Sequence, residues 1–205
     1  MPLRVPYTIA YETIQSCNNV FLEVQTNQGI KGYRCSAPDF AVTGESASSV
    51  INCIRSHIEP ALHGQNPFHF VRIMEHLKSV TVQQPSALAM ADMALLDIVS
   101  KAAGVPLYHY FGGFRDCIPT SITIGIMPLN ETLAYAKTLV KIGFFILKIK
   151  GGLDPDEDIE KIIQIREVVG RNVRLRFDAN QGYTVSDSVK FIEKTREAGI
   201  ELFEQ

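Results

Sequence analysis

The chain has little net charge, no paired-cysteine motif and no apolar run close to the length of a membrane span. A formal charge of −2 over 205 residues gives no electrostatic case for a nucleic-acid or anionic-membrane partner. Without a long apolar stretch there is no helical membrane anchor to propose. The N-terminus also lacks the basic flank and apolar core of a signal peptide, so a cytoplasmic location is expected. The four cysteines, Cys17, Cys35, Cys53 and Cys117, show no C-x-x-C spacing, and reduced, mostly buried thiols are expected rather than disulfides or a zinc site. All five histidines lie between His57 and His109, with none in the C-terminal half. They are expected to be structural or exposed, not ligands. No G-x-G-x-x-G or G-K-[ST] follows a strand-like run, which disfavours a nucleotide-binding doubly wound sheet.

What is present divides into two halves. An apolar fraction of 46 % over 205 residues is enough to bury a core. Residues 1–115 read as α+β: a strand at Val20–Val24, a turn at Asn27-Gln28-Gly29 and a returning strand at Ile30–Tyr33. Helical patterns then cover 46–57, 67–79 and 85–103, the last ended by Gly104 and Pro106 and apolar nearly all round, as a buried helix would be. From residue 116 the rhythm becomes strand, helix, strand, helix. Strands are expected at 121–126, 145–150, 173–178 and 200–204, with helices at 130–141, from 154 to 170 and at 185–198. Asp154, Pro155 and Glu157 supply an N-cap, a proline in the first turn and a carboxylate to open the second of these helices. Such alternation gives a parallel sheet, and a (β/α) barrel fits it best because barrel chemistry collects at the C-terminal ends of strands.

Those ends carry the chemistry: Lys148-Ile149-Lys150, Asp178-Ala179-Asn180 and Glu204-Gln205 each close a short apolar run. Residues i and i+2 of a strand share a face, so Lys148 and Lys150 point one way while Phe145, Leu147 and Ile149 meet the helices. Likewise Asp178 shares a face with Arg174, Arg176 and Asn180, and Leu175 and Phe177 take the other. A K-x-K pair or a D-x-N turn alone is usually structural, but three such motifs at matching ends of consecutive strands point to a site. Asp178 and Glu204 suit a hard cation such as Mg²⁺. A second ammonium and a metal nearby would push one lysine pKa down towards a working base. The local reading is proton abstraction alpha to a carboxylate: racemisation, epimerisation, β-elimination or cycloisomerisation.

At these residues the sequence resembles the enolase superfamily, in its muconate-lactonizing-enzyme branch, and most of all the dipeptide epimerases. The likeness includes Val42-Thr43-Gly44-Glu45-Ser46, the run from Pro85 to Asp97 with Lys101, Gly104-Val105-Pro106-Leu107 to Gly112-Gly113, and the three strand-end motifs. It implies an α+β N-terminal capping domain over residues 1–115, followed by the first half of a TIM-type (β/α) barrel over 116–205 with strands one to four. It also implies an isomerase that epimerises dipeptides with Mg²⁺. Lys150 would be an acid/base lysine, and Lys148 its neighbour, tuning it and touching the substrate carboxylate. Asp178 and Glu204 would bind Mg²⁺, and Asn180 would orient the site. The stretch Thr120–Ile126 is similar to the first barrel strand of that group, so Thr123 would touch substrate. Residues 14–19 and 40–43 would line the specificity pocket. Muconate cycloisomerase and o-succinylbenzoate synthase activities share these motifs and stand as alternatives. Where relatives tend to show a Gly-aromatic-Gly-Glu run, this chain has Gly32-Tyr33-Arg34-Cys35. The resemblance further implies that a third carboxylate ligand and an opposing lysine lie beyond residue 205. These 205 residues are therefore expected to be incomplete, inert alone or in need of a partner segment. A small-molecule dipeptide, no nucleic acid, no membrane and a possible homo-oligomer complete the expected partners.

Overall fold

The computed structural model describes residues 1–205. They form two compact units, Met1 with Cys17–Asp116, and Pro2–Ser16 with Cys117–Gln205. Residues 2–16, grouped by sequence with the N-terminal domain, therefore fold with the C-terminal strands. They form a hairpin, β1 (Pro2–Thr8) against β2 (Thr13–Ser16), antiparallel. Its attachment is backbone pairing: the Ile126 N–H donates to the Thr8 carbonyl at 2.9 Å. Gly125 permits the approach, since a Cβ there would come within 3.1–3.3 Å of the Tyr7 ring and the Thr8 backbone. Neither strand was expected; Pro2 and Pro6 argue against a strand except at an edge.

In the first unit β3 (Val20–Gln25) and β4 (Lys31–Ser36) form an antiparallel hairpin. Its turn ends at Gly29, whose φ of 81° suits a residue without Cβ. Helices follow: α1 (Phe40–Thr43), α2 (Ala47–Cys53), a π-turn at Ile54–Ile58, α3 (Glu59–Leu62), α4 (Phe70–Val80), α5 (Pro85–Ala102) and α6 (Leu107–Tyr110). The π-turn runs the expected 46–57 helix on to residue 62. It lies just ahead of Pro60, which has no N–H to continue the i−4 ladder, and Glu59 N–H bonds to the Ile54 carbonyl instead. Helix α5 is the buried helix the sequence predicts: Met90, Ala91, Ala94, Leu95, Ile98 and Val99 have almost no exposure. It packs so closely on β4 that any side chain at Gly32 would overlap the Ala94 carbonyl. The fully buried carboxylate of Glu45 accepts from the N–H groups of Ser86 (both oxygens, 3.0 Å) and Ala87 (3.4 Å). It satisfies donors that the first turn of α5 cannot pair internally.

The second unit alternates β5 (Ile122–Ile124), α7 (Leu129–Lys141), β6 (Ile146–Lys150), α8 (Pro155–Val169), β7 (Arg174–Asp178), α9 (Val185–Lys194) and β8 (Ile200–Glu204). The strands form one parallel sheet in sequence order. Asp154 caps α8, accepting from the N–H groups of Asp156 and Glu157. Ile124, Leu147, Ile149, Leu175 and Phe177 are buried with Leu139, Ile162, Ile165 and Phe191 from the three helices. Phe177 lies at the centre, its ring 4.1 Å from that of Phe191. Burying each such side chain stabilises the fold by about 1.5–3 kcal/mol. A sequential parallel sheet with its helices on one face is an arc of a (β/α) barrel, and its other face is left to polar side chains.

Three expectations need correction. Phe145, assigned to the helix-facing side, is 63 % exposed; it precedes β6, and only its carbonyl is engaged, by the Arg174 N–H. The helix expected over 185–198 stops at Lys194, and Arg196–Ala198 is a 3-10 turn. The cysteines are all unpaired, but only Cys53 is buried; Cys35 and Cys117 are exposed and Cys17 is partly so. No helix is long and apolar enough to cross a membrane.

Candidate active site at the C-terminal end of the sheet

Strand register sets the site. Thr123 lies opposite Lys148, Lys150 opposite Asp178, and Asp178 opposite Glu204. The side chains then converge. Lys150 Nζ donates to Asp178 Oδ2 at 2.6 Å, and Lys148 Nζ lies 2.8 Å from the same oxygen and 2.6 Å from Glu204 Oε2. Asp178 is 2 % exposed, and its other oxygen, Oδ1, accepts the Asn180 N–H at 2.9 Å. A carboxylate this buried is tolerable only when paired and hydrogen-bonded, and here it receives two ammonium groups and an amide.

Electrostatics follow from that sharing. Burial alone would raise the Asp178 pKa, but hydrogen bonds from Lys148, Lys150 and the Asn180 N–H outweigh it and hold the carboxyl below its usual range. Burial pulls Lys148 down, yet its bonds to Asp178 and Glu204 prevail and its pKa is raised. Lys148 reaches two carboxylates, and their attraction favours its charged form.

Of the other charges on this face, Arg174 and Arg176 stay apart from the cluster and pair with Glu201 at 3.4 and 2.6 Å. Glu201 is available because the β7–β8 register shifts between Leu175 and Arg176. All five histidines are exposed. Asn180 takes a positive φ of 49°, and its buried Oδ1 has no hydrogen-bond partner.

The donor set suits a small hard cation. The Lys148 ammonium already lies between the Asp178 and Glu204 carboxylates, so one positive centre can reach both. The orphaned Asn180 oxygen stands beside them in sequence. No cluster of three or more His, Cys, Asp or Glu residues able to hold a metal forms. Two carboxylates nonetheless match the needs of Mg²⁺, which keeps several waters and shares its remaining positions with substrate.

Three residues near the site were not picked out from the sequence. Tyr7 stands on β1; burial pushes its hydroxyl up to about 12, opposed by Lys148 and reinforced by Asp178. Asp158, in the first turn of α8, and Tyr183, after the Asp178 turn, are joined through a 2.8 Å hydrogen bond. Their partners are distant in sequence, and no local pattern marks them.

Comparison with known proteins gives the family of the chain. The mandelate racemase / muconate lactonizing enzyme N-terminal domain matches residues 1–112, and the enolase C-terminal domain-like family matches 131–205. The L-Lys-D/L-Arg epimerase of Desulforapulum autotrophicum is 43 % identical over 95 % of this chain and 55 % of its own length. The hydrophobic dipeptide epimerase of Enterococcus faecalis is 37 % identical over 99 % of this chain and 57 % of its own. A crystal structure of dipeptide epimerase from Enterococcus faecalis V583, complexed with Mg and L-Leu-L-Tyr, superposes with a TM-score of 0.95 at 37 % identity, covering 100 % of this chain and 57 % of that one. The chain thus spans a little over half the length of the relatives it matches.

Proposed function

Because the chain belongs to the mandelate racemase / muconate lactonizing enzyme family, we propose that its protein is a Mg²⁺-dependent epimerase of dipeptides, an isomerase that moves the proton alpha to a carboxylate. The observation that carries this reading is the shared carboxylate. Asp178 holds both Lys148 and Lys150 within 2.8 Å of one oxygen, on the polar face of a sheet whose relatives are epimerases. Asp178 and Glu204 would hold Mg²⁺, with Asn180 orienting the Asp178 side chain through its backbone N–H. Bound there, Mg²⁺ supplies positive charge against the substrate carboxylate as the neighbouring carbon loses its proton.

The lysines divide the remaining work. Lys150, the more enclosed of the two, takes the alpha proton: the C–H bond breaks, an N–H bond forms, and the electron pair passes into the carboxylate. To accept the proton it must act as the neutral amine. Lys148 faces the substrate carboxylate, and Thr123, opposite it in the sheet, lines the same end. Both lysines stand on β6 and share one face, so they serve one side of the substrate carbon. Epimerisation also needs a donor on the opposite side.

The test, on the full-length protein, is α-proton exchange in D₂O, with and without Mg²⁺, on three dipeptides: L-Ala-L-Glu, a hydrophobic pair and a dibasic pair. Metal-dependent deuterium uptake at one alpha carbon supports the proposal. Uptake of none of them, or uptake that EDTA leaves unchanged, refutes it.

A further inference from the structure

The loop that follows Lys150 and the turn that follows Asp178 are locked to one buried carboxylate outside the cluster described above. Asp158 is 3 % exposed. Its Oδ2 accepts the Gly152 N–H at 2.8 Å and the Tyr183 hydroxyl at 2.8 Å, and its Oδ1 accepts Lys161 Nζ at 3.1 Å. Gly151 N–H donates to the Asp178 carbonyl at 3.0 Å, so consecutive amides after Lys150 are tied, one to β7 and the next to Asp158. The glycines permit the fit. A side chain at Gly152 would overlap the Ala179 carbonyl, one at Gly182 would overlap the Gly152 carbonyl, and one at Gly151 would overlap Asp158. Between these ties Asn180 and Gln181 hold positive φ values of 49° and 63°, a conformation non-glycine residues keep only when their surroundings enforce it.

We infer that Asp158 and Tyr183 are positioning residues, a buckle that sets where Lys150 and the Asp178–Asn180 turn stand relative to each other. Neither touches the cluster. Asp158 acts through the Gly152 amide, just past Lys150, and Tyr183 acts through the turn that carries Asn180. A packing role alone would not call for a carboxylate here. Three donors converge on Asp158 from its own helix, from the Lys150 loop and from the Asp178 turn, and the last two meet on a single oxygen. Tyr183 remains a donor throughout, since burial and the adjacent acid raise its pKa. An error of a fraction of an ångström in the base matters because proton transfer needs hydrogen-bond reach.

The inference rests on the function proposed above for its kinetic consequence, but its structural half is tested independently. In the full-length protein, Tyr183→Phe removes one hydroxyl and leaves the ring in place. Ile165→Val, a core trim on α8 away from the loops, serves as a control for lost stability. Tyr183→Phe is expected to lower kcat for α-proton exchange by about tenfold or more with KM nearly unchanged. It should also speed hydrogen exchange in the peptide spanning residues 151–158. Ile165→Val at a similar loss of Tm should do neither. A fall in kcat no greater than that of Ile165→Val, or unchanged protection of residues 151–158, would overturn the inference. If the unsubstituted protein exchanges no dipeptide proton, the functional proposal fails, and faster or unchanged amide exchange in Tyr183→Phe still decides for or against the buckle.

Discussion

Arg166 offers the sharpest test of how the sheet is held at its other end. The side chain is 9 % exposed and faces no carboxylate. Its guanidinium instead donates to four backbone carbonyls: Nε to Ala198 at 2.6 Å, Nη1 to Gly170 and Val173 at 2.6 Å each, and Nη2 to Gly199 at 3.3 Å. These carbonyls belong to the segments that lead into β7 and β8, so one cation fastens the entry of both strands to the end of α8. Burial lowers its pKa, as does Arg171, but an arginine remains charged at neutral pH. Arg166→Met keeps most of the stem and removes every donor. Each of the three short bonds is worth about 1.5 kcal/mol, the low end for a charged donor. About 1–2 kcal/mol returns because no guanidinium is then buried without a counter-ion. The net loss is about 3 kcal/mol, or about 6–12 °C in Tm for a domain of this size. Arg166→Lys should recover little, since one ammonium cannot span carbonyls on both sides of a planar fork. Thermal and urea unfolding followed by circular dichroism gives the answer. A loss below about 1 kcal/mol for Arg166→Met, or full rescue by lysine, would refute the reasoning.

Other predictions follow from single contacts. Gly152→Ala places a Cβ at a φ of 104° and against the Ala179 carbonyl, and should cost about 3 kcal/mol or more in urea unfolding; a neutral result would contradict the close approach of the two loops. Asp97 accepts the Tyr33 N–H at 2.9 Å and Lys101 Nζ at 2.8 Å, and these bonds overcome the upward pull of burial to lower its pKa. A depressed folded pKa gives stability that is complete above the unfolded value of about 4 and disappears as pH falls through the folded one. The stability gap between the wild type and Asp97→Asn should therefore shrink as acid is added. A gap constant from pH 7 to pH 2 would argue against it. Phe177→Ala opens a cavity between Phe191, Tyr183 and Phe203 and should cost about 3–5 kcal/mol, unless the denaturant midpoint shows that the neighbouring rings collapse into it.

The parts of the fold readable from sequence are those with a local cause. The alternation of Leu147, Ile149, Leu175 and Phe177 with charged residues marks two strands and their buried face, and Asp154-Pro155 marks a helix start. The hairpin of residues 2–16 was not readable, because its prolines weaken the strand pattern and its attachment is to Ile126, far along the chain. Phe145 was misplaced because alternation was carried one residue past the strand end. The motifs Lys148-Ile149-Lys150 and Asp178-Ala179-Asn180 announce which side chains share a face. Register decides that one Asp178 oxygen receives both lysines, and against the pull of burial the bonds to Asp178 and Glu204 raise Lys148. Asp158 looked like one more acid in an acidic first turn. Only the fold brings Gly152 and Tyr183 to the same oxygen.

The two ends of the sheet thus use cations differently, and that difference can be measured. At the entry end, Arg166 pairs with backbone carbonyls that lead into β7 and β8, so its loss falls on stability. At the exit end, Lys150 shares Asp178 with Lys148 and with the Asn180 N–H. Lys150→Met would leave the carboxylate still charged and still paired with Lys148 and the Asn180 N–H, with one of its two ammonium groups removed. The change in stability should be about 1 kcal/mol or less in either direction, while α-proton exchange should fall by about 10³-fold through loss of the base. Arg166→Met should show the reverse, exchange within a few-fold of wild type at temperatures well below its lowered Tm. Equal losses of stability and exchange in both variants would mean that the ends are not separable, and that the lysine cluster holds the sheet together as much as the arginine does.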